Sequence, residues 1–437
     1  MTTEQQLTDM VNSLTEEYFA ALRKLLRIPS VKGPAAARAP FGEGPREALD
    51  TAMTIAGELG FQTKMVNDAV GVAQLGESAD YVGVIGHLDV VPAGDGWSYP
   101  PFDLTIEDGK AYGRGVLDNK GPALACLFAL YAIKQLNLPL TKTVRILFGS
   151  DEESGSADIP LYLAAEPAPV YGFTPDCKYP AVYGERGMLR LCLETDICAG
   201  SGIAELTGNH HSSMVPDFSR LVFADGYEIS AAGKGSPSNA PELGVNSIIQ
   251  LAQALLADTS GRLPEDVRCY ADWLVKSLAN QHDGAGLGID FEDRESGKLQ
   301  LTPFDWSVTA DNTLQLGLTI RYPVTVTEDQ ILSRLSANLP PHSRIRVVRS
   351  LPAVMFPQSH PMLKVMQDVY ERCTGMDGTP VTTTGATYAR SMPNIVAFGP
   401  SFPGQKGIAH NSDEYMLVAD LLKNMQIYAL TIYELAK

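Results

Sequence analysis

The sequence predicts an α/β protein: a mostly parallel central sheet flanked by helices, interrupted by an inserted α+β domain. Three observations carry this. Between residues 61 and 187, short apolar runs alternate with helix-length segments, as when strands are joined by crossover helices that cover both sheet faces. After Gly187 the pattern changes to short alternating strands with two or three helices. From residue 356 onward, a helical segment and an apolar run resume the first pattern. The expected division is residues 1–187 and 356–437 for the first domain and 188–355 for the insertion; 437 residues are too many for one ordinary core.

Taken in order, residues 4–27 have helical periodicity, with Leu14, Tyr18, Leu22 and Leu25 or Leu26 on one side, ending before Pro29. Residues 82–85 and 144–148 read as buried strands, with a helix over 121–136 between them. The apolar run 123–133 is too short to span a bilayer and belongs to that helix. In the insertion, 189–193 and 314–320 read as strands, and the polar, glycine-rich stretch 281–297 reads as a surface loop. Residues 362–373 read as a helix and 395–398 as a strand of the first domain.

A hydrophobic content of 45% with 19% charged residues describes a globular chain, and a net charge of −17 argues against nucleic acid and anionic membranes as partners. The start, MTTEQQLTDM, has no basic stretch followed by an apolar core, so the expected compartment is the cytoplasm. Six cysteines without CxxC spacing are expected as buried thiols rather than disulfides or a thiolate metal site.

Five residues stand where short strands should end and the chain should turn: His87, Asp118, Glu153, Asp176 and His410. Two imidazoles and three carboxylates can hold two divalent ions with one carboxylate shared, and the set suits zinc, with manganese or cobalt as alternatives. His87 and Asp89, two apart on an extended chain, share a face, so Asp89 can orient the imidazole. Asp118 closes a glycine-rich turn before a helix, where a capping role is the other reading. Asp151, Glu152 and Glu153 end a strand together, and such a run of charge repels itself unless cations share the site. One glutamate can ligate while its neighbour acts as base. Taken singly, His87 reads as structural and Asp176 and His410 as turn or cap residues; the ligand reading rests on all five occurring in this order.

The segments GHLDVVP, GRGVLDNKG, DEESG, FTPDCKYPAVYGERG, IRYP, TYAR and AHNSDEYM, spread over most of the chain, resemble the zinc aminopeptidase-like clan of aminoacylases and glutamate carboxypeptidase. Within it the likeness is to the peptidase V and carnosinase-like bacterial dipeptidases. The resemblance implies two metal ions bridged by Asp118, one held also by His87 and Asp176, the other by Glu153 and His410. It further implies Asp89 behind His87, Glu152 as general base and proton donor, a cis peptide after Asp118, and Arg321 and Arg390 near the substrate. The insertion would be a lid, and the long lid of these dipeptidases favours a monomer over a homodimer.

The chain departs from that pattern at four positions. Pro237 stands where the lid motif should carry a histidine that polarises the scissile carbonyl, and Ser213 where an asparagine is expected. Ala386 replaces a glycine and Asn119 an aspartate. His210 and His211, just ahead of Ser213, are candidates to replace the lost donor, with His211 and Ser213 placed among the substrate contacts. The expected activity is metal-dependent hydrolysis of dipeptides or small peptide-like substrates. The alternatives are an N-acyl amino-acid deacylase using the same site, and a peptide-binding homologue with weak activity.

Overall fold

The computed structural model describes residues 1–198 and 202–437. These form two compact units: Met1–Tyr183 with Phe356–Val381 and Gly385–Lys437, and Gly184–Met355 with Thr382–Thr384.

The first unit is built on a sheet in the order Gln62–Val66, Val70–Leu75, Thr143–Gly149, Tyr81–His87, Tyr171–Thr174, Ile395–Ala397, Val182–Glu185. Parallel pairing joins the four strands from Thr143–Gly149 to Ile395–Ala397. The flanking pairings are antiparallel. The sheet is therefore mixed, and its parallel pairings, expected to predominate, are gathered at its centre. A hairpin makes one flank antiparallel: Asn67 and Asp68 turn the chain with φ of 49° and 56°, a conformation these short polar residues tolerate.

This centre positions the candidate site. Tyr81–His87 and Thr143–Gly149 run in register, with His87 opposite Gly149. Tyr171–Thr174 lies on the other side of Tyr81–His87. Three chain segments thus leave the sheet side by side at its carboxyl edge. The helix Lys120–Gln135, buried on nearly every face as its continuous apolar sequence requires, packs beside the final helix Val418–Ala436. The N-terminal periodic segment is two helices, Thr3–Ser13 and Thr15–Leu26. Around the break at Leu14, the Ser13 and Thr15 hydroxyls donate to the carbonyls of Met10 and Asn12 and so compete with the helical ladder.

The second unit has a four-stranded antiparallel sheet, Gln300–Val308, Thr313–Tyr322, Gly187–Asp196, Ser343–Leu351. Alternate residues Leu189, Leu191, Leu193, Leu314, Leu316 and Leu318 face the helices Ser247–Ala257 and Glu265–Leu278 in one core. Residues 281–297 are more than a surface loop. They hold the 3-10 turn Ala285–Leu287 and the short strand Glu292–Asp293, and Leu287 and Ile289 anchor them in the core. No disulfide forms among the described residues. Cys126 and Cys192 are buried as expected, whereas Cys198 and Cys269 are exposed. Among the described residues, no helix is long and apolar enough to cross a membrane.

Candidate metal centre

Each acid and imidazole of the candidate set reaches the carboxyl edge of the sheet by its own segment. His87 is the last residue of its strand. Asp118 immediately precedes Asn119, the N-cap of the helix Lys120–Gln135, and the Asp118–Asn119 peptide is cis. Glu152 and Glu153 open a 3-10 turn soon after Thr143–Gly149, Asp176 lies two residues beyond Tyr171–Thr174, and His410 precedes the strand Tyr415–Leu417.

The carboxylate of Asp118 stands between the two imidazoles. Its Oδ1 lies 3.0 Å from His87 Nε2, and its Oδ2 lies 3.1 Å from His410 Nε2. Asp176 Oδ2 is 3.6 Å from the same His87 nitrogen, and Glu153 Oε1 is 3.1 Å from that of His410. Donor atoms of His87, Glu152 and Asp176 lie within 4.8 Å of one another, as do those of His87, Asp118 and Glu153. His87 is fully buried, while the His410 side chain is about half exposed. Two imidazoles facing different oxygens of one carboxylate, with a further carboxylate beside each, fit a pair of divalent ions sharing Asp118.

The orientation of His87 is the one a ligand needs. Its Nδ1 is 2.8 Å from the carbonyl oxygen of Asp89, which can only accept, so Nδ1 carries a hydrogen and Nε2 is the nitrogen turned toward the carboxylates, free for a metal once its own proton is displaced. The sequence assigned that orienting contact to the Asp89 carboxylate, which lies farther off, 3.5 Å from Nδ1. The carboxylate instead accepts the backbone N–H groups of Glu152 and Glu153, at 3.2 and 3.1 Å. Asp89 therefore ties the imidazole to the segment carrying both glutamates.

The electrostatics are those of an acid cluster balanced by imidazole protons. Burial works against charge on Asp118, yet hydrogen bonds from His410 and His87 hold its carboxyl well below the usual range. Burial, followed by the charge of Asp176, pushes Glu152 well above the ordinary glutamate value. Burial raises Asp176 to about 7, against the opposing pull of His87. Burial disfavours a charged His87, but Asp176 and the hydrogen bonds to Asp118 and Asp176 outweigh it and raise its pKa. Hydrogen bonds to Asp118 and Glu153 lift His410 to about 11.

Residues that the sequence reading left without a role support this cluster. Glu414, fully buried, accepts three backbone N–H groups of the Asp118 loop and pairs with Arg114. Tyr388, in the segment TYAR, donates to Asp158 Oδ2 at 2.5 Å, and the same oxygen accepts Ser150 N–H at 2.7 Å, just ahead of the glutamates. The Lys120 ammonium donates to the carbonyls of Leu25 and Ile28. Asn119 donates its amide to the carbonyl of Pro175 at 2.6 Å, a bond an ionised aspartate could not make. These partners are 8 to 300 residues apart in the chain, so only the occurrence of Glu414, Arg114 and Tyr388 in the quoted segments hinted at them.

Arg390, in the first unit, donates to the carbonyl of Gly385 at 3.2 Å. In the second unit, Arg321 donates to the carbonyl of Thr384 at 2.6 Å. His211 and Ser213 are both exposed and bonded to each other, Nδ1 to Oγ at 2.7 Å. Met214 pairs with Pro237, and Ser238 N–H donates to the Ser213 carbonyl, so His211 and Ser213 share one surface with the proline. His210 is held against Asp305, Nδ1 to Oδ1 at 2.7 Å.

Residues 83–434 match the sequence profile of Peptidase family M20/M25/M40. The chain belongs to this family, and it is a hydrolase. It is 31% identical over 457 residues to the "Putative dipeptidase YtjP" of Bacillus subtilis (strain 168), covering 97% of this chain and 98% of that one. It is 28% identical to the Beta-Ala-Xaa dipeptidase of Lactobacillus delbrueckii subsp. lactis, over 91% of each chain. The fold is also that of human carnosine dipeptidase 1, with a TM-score of 0.63, 17% identity and 99% of each chain covered.

Proposed function

We propose that this hydrolase is a dinuclear metallopeptidase that cleaves the amide bond of dipeptides or small peptide-like substrates. The observation that carries this reading is the division of the Asp118 carboxylate between two imidazole nitrogens, 3.0 and 3.1 Å away, with Glu152 beside them. In this reading His87, Asp118 and Asp176 hold one ion and Asp118, Glu153 and His410 the other. Two zinc ions there would acidify a water and polarise the substrate carbonyl. The names of the relatives support dipeptides as the substrate class.

The chain's own residues supply the proton transfers and the order of the site. Glu152, beside the candidate ligands, takes the proton of the attacking water in its ionised form and passes it to the leaving amine. Asp89 fixes where Glu152 stands, because its carboxylate holds the backbone N–H at the start of that turn. Substrate contacts are assigned to Arg321 and Arg390 on the family resemblance, and to Ser213 and His211 on their place beside Pro237. His211 is preferred over His210 as the replacement donor, because His210 is engaged by Asp305. The second unit acts as a lid, and the enzyme works as a monomer.

The test is direct. Zinc- or manganese-loaded protein is incubated with a panel of dipeptides and of N-acyl amino acids, and the products are resolved. Dipeptide cleavage is expected; a panel in which only the N-acyl amino acids are hydrolysed would replace this reading with a deacylase. Unchanged substrates in both halves, with metal bound, would leave a binding protein.

A further inference from the structure

The centre contains a buried ion pair that the proposed chemistry does not use. Glu414 is 0% and Arg114 1% exposed, and Nη1 meets Oε2 at 2.6 Å. The other oxygen of Glu414 accepts the backbone N–H groups of Gly115, Leu117 and Asp118 at 3.1, 2.9 and 3.1 Å. Its own carbonyl accepts Gly113 N–H at 3.1 Å. Arg114 is fixed in turn: Nη2 reaches the carbonyls of Pro92 and Ala93 at 3.4 and 3.3 Å, and Trp97 lies under the guanidinium.

Such a pair is an inefficient source of stability, because two charges taken out of water lose about as much as they regain. What it gives here is position. Converging backbone N–H groups form a nest for an anion, and the anion in this nest is a side chain of the same protein, four residues after His410. Gly115 takes part at φ +93°, a left-handed conformation that strains any other residue, and a Cβ there would crowd Lys120. One carboxylate therefore clasps the loop that ends in Asp118 and belongs to the loop that carries His410.

We propose that Glu414, oriented by Arg114, is a positioning residue that sets Asp118 and His410 relative to each other and thereby governs the affinity for both metal ions together. This rests on the two-metal reading above. Asp118 is the ligand common to both ions in that reading, so displacing it weakens both sites, whereas loss of His410 removes a ligand from one.

The experiment titrates metal-stripped, full-length protein with zinc against a chromophoric chelator, and follows melting of the metal-free form separately. The wild type is expected to take up two equivalents. Glu414→Gln, which places an amide against three N–H donors or the guanidinium, is expected to weaken both by about 10–100-fold, the effect typical of groups that orient metal ligands. His410→Ala is expected to weaken chiefly one. Two ions bound by Glu414→Gln with wild-type affinity, or loss of only one, would overturn the proposal alone. A wild type that takes up no zinc would overturn the two-metal reading and the proposal with it. If Glu414→Gln does not fold, Arg114→Lys decides by the same titration: it keeps the charge but lacks the fork that reaches Glu414 and the two carbonyls, so wild-type affinity there counts equally against the proposal.

Discussion

The acid and imidazole cluster of the first unit and the Ser213–Pro237 surface of the second are held in opposite ways. Around Asp118 several site residues are backed by buried groups drawn from distant parts of the chain, such as Asp89 beneath Glu153 and Glu414 beneath Asp118. In the second unit His211, Ser213 and Pro237 are exposed, and the contact of His211 with Ser213 spans two residues. A side chain locked by distant partners cannot be exchanged without moving them, while one on a local, exposed loop can. The four departures from the family pattern fit that division. Pro237, Ser213 and Ala386 lie at exposed positions, and the one buried departure, Asn119, has gained a bond suited to an amide.

The largest effect is expected from Glu152→Gln: kcat on a cleaved dipeptide should fall by about 10²–10⁴-fold, with bound zinc unchanged. Activity near wild type would move the proton transfer to another group. Next, His211→Ala should lower kcat by about 10²-fold, with His210→Ala well above it in activity. Equal, full activity in both would mean that the second unit supplies no donor to the reaction. Gly149→Ala tests the locked region without touching a ligand. Its Cβ would collide with the Tyr388 hydroxyl and come within 2.6 Å of Asp158, so a loss of about 1–3 kcal/mol is expected from the shift of the urea midpoint. An unchanged midpoint would mean that the packing behind the glutamates is looser than it looks.

The smallest effect concerns pH. In the metal-free protein His410 has a pKa of about 11 through Asp118 and Glu153, so over pH 6–8 its nitrogen is protonated and an incoming cation displaces that proton. Zinc affinity should therefore rise as pH rises, by about tenfold per unit for each proton released. Chelator competition at pH 6, 7 and 8 measures it, and a flat profile would remove the imidazolium from the metal-free state.

Much of the first unit was legible in the sequence because burial on both faces leaves a continuous signal. The apolar runs before His87 and Glu152 and the helix after Asp118 are strands and helix in the structure. The break at Leu14 was not legible, since the hydrophobic face continues across it and hydroxyl-to-carbonyl bonds make the interruption. The antiparallel flanks were hidden for a similar reason: an apolar strand records that it is covered, not which way its neighbour runs. In the candidate site, spacing placed Asp89 on the face of His87 but could not tell its carbonyl from its carboxylate. Glu414 looked like one acid among several in a polar segment, because its partners lie about 300 positions earlier.

That separation has a consequence for the order in which the protein is made. On the ribosome, Arg114 and the acids at 118, 152, 153 and 176 emerge long before Glu414, with a delay on the order of tens of seconds at ordinary elongation rates. Until then the guanidinium lacks the carboxylate it meets in the finished chain, and the N–H nest around Gly115 lacks its anion. The nascent chain thus carries four of the five candidate ligands long before the carboxylate that accepts the N–H groups around Asp118.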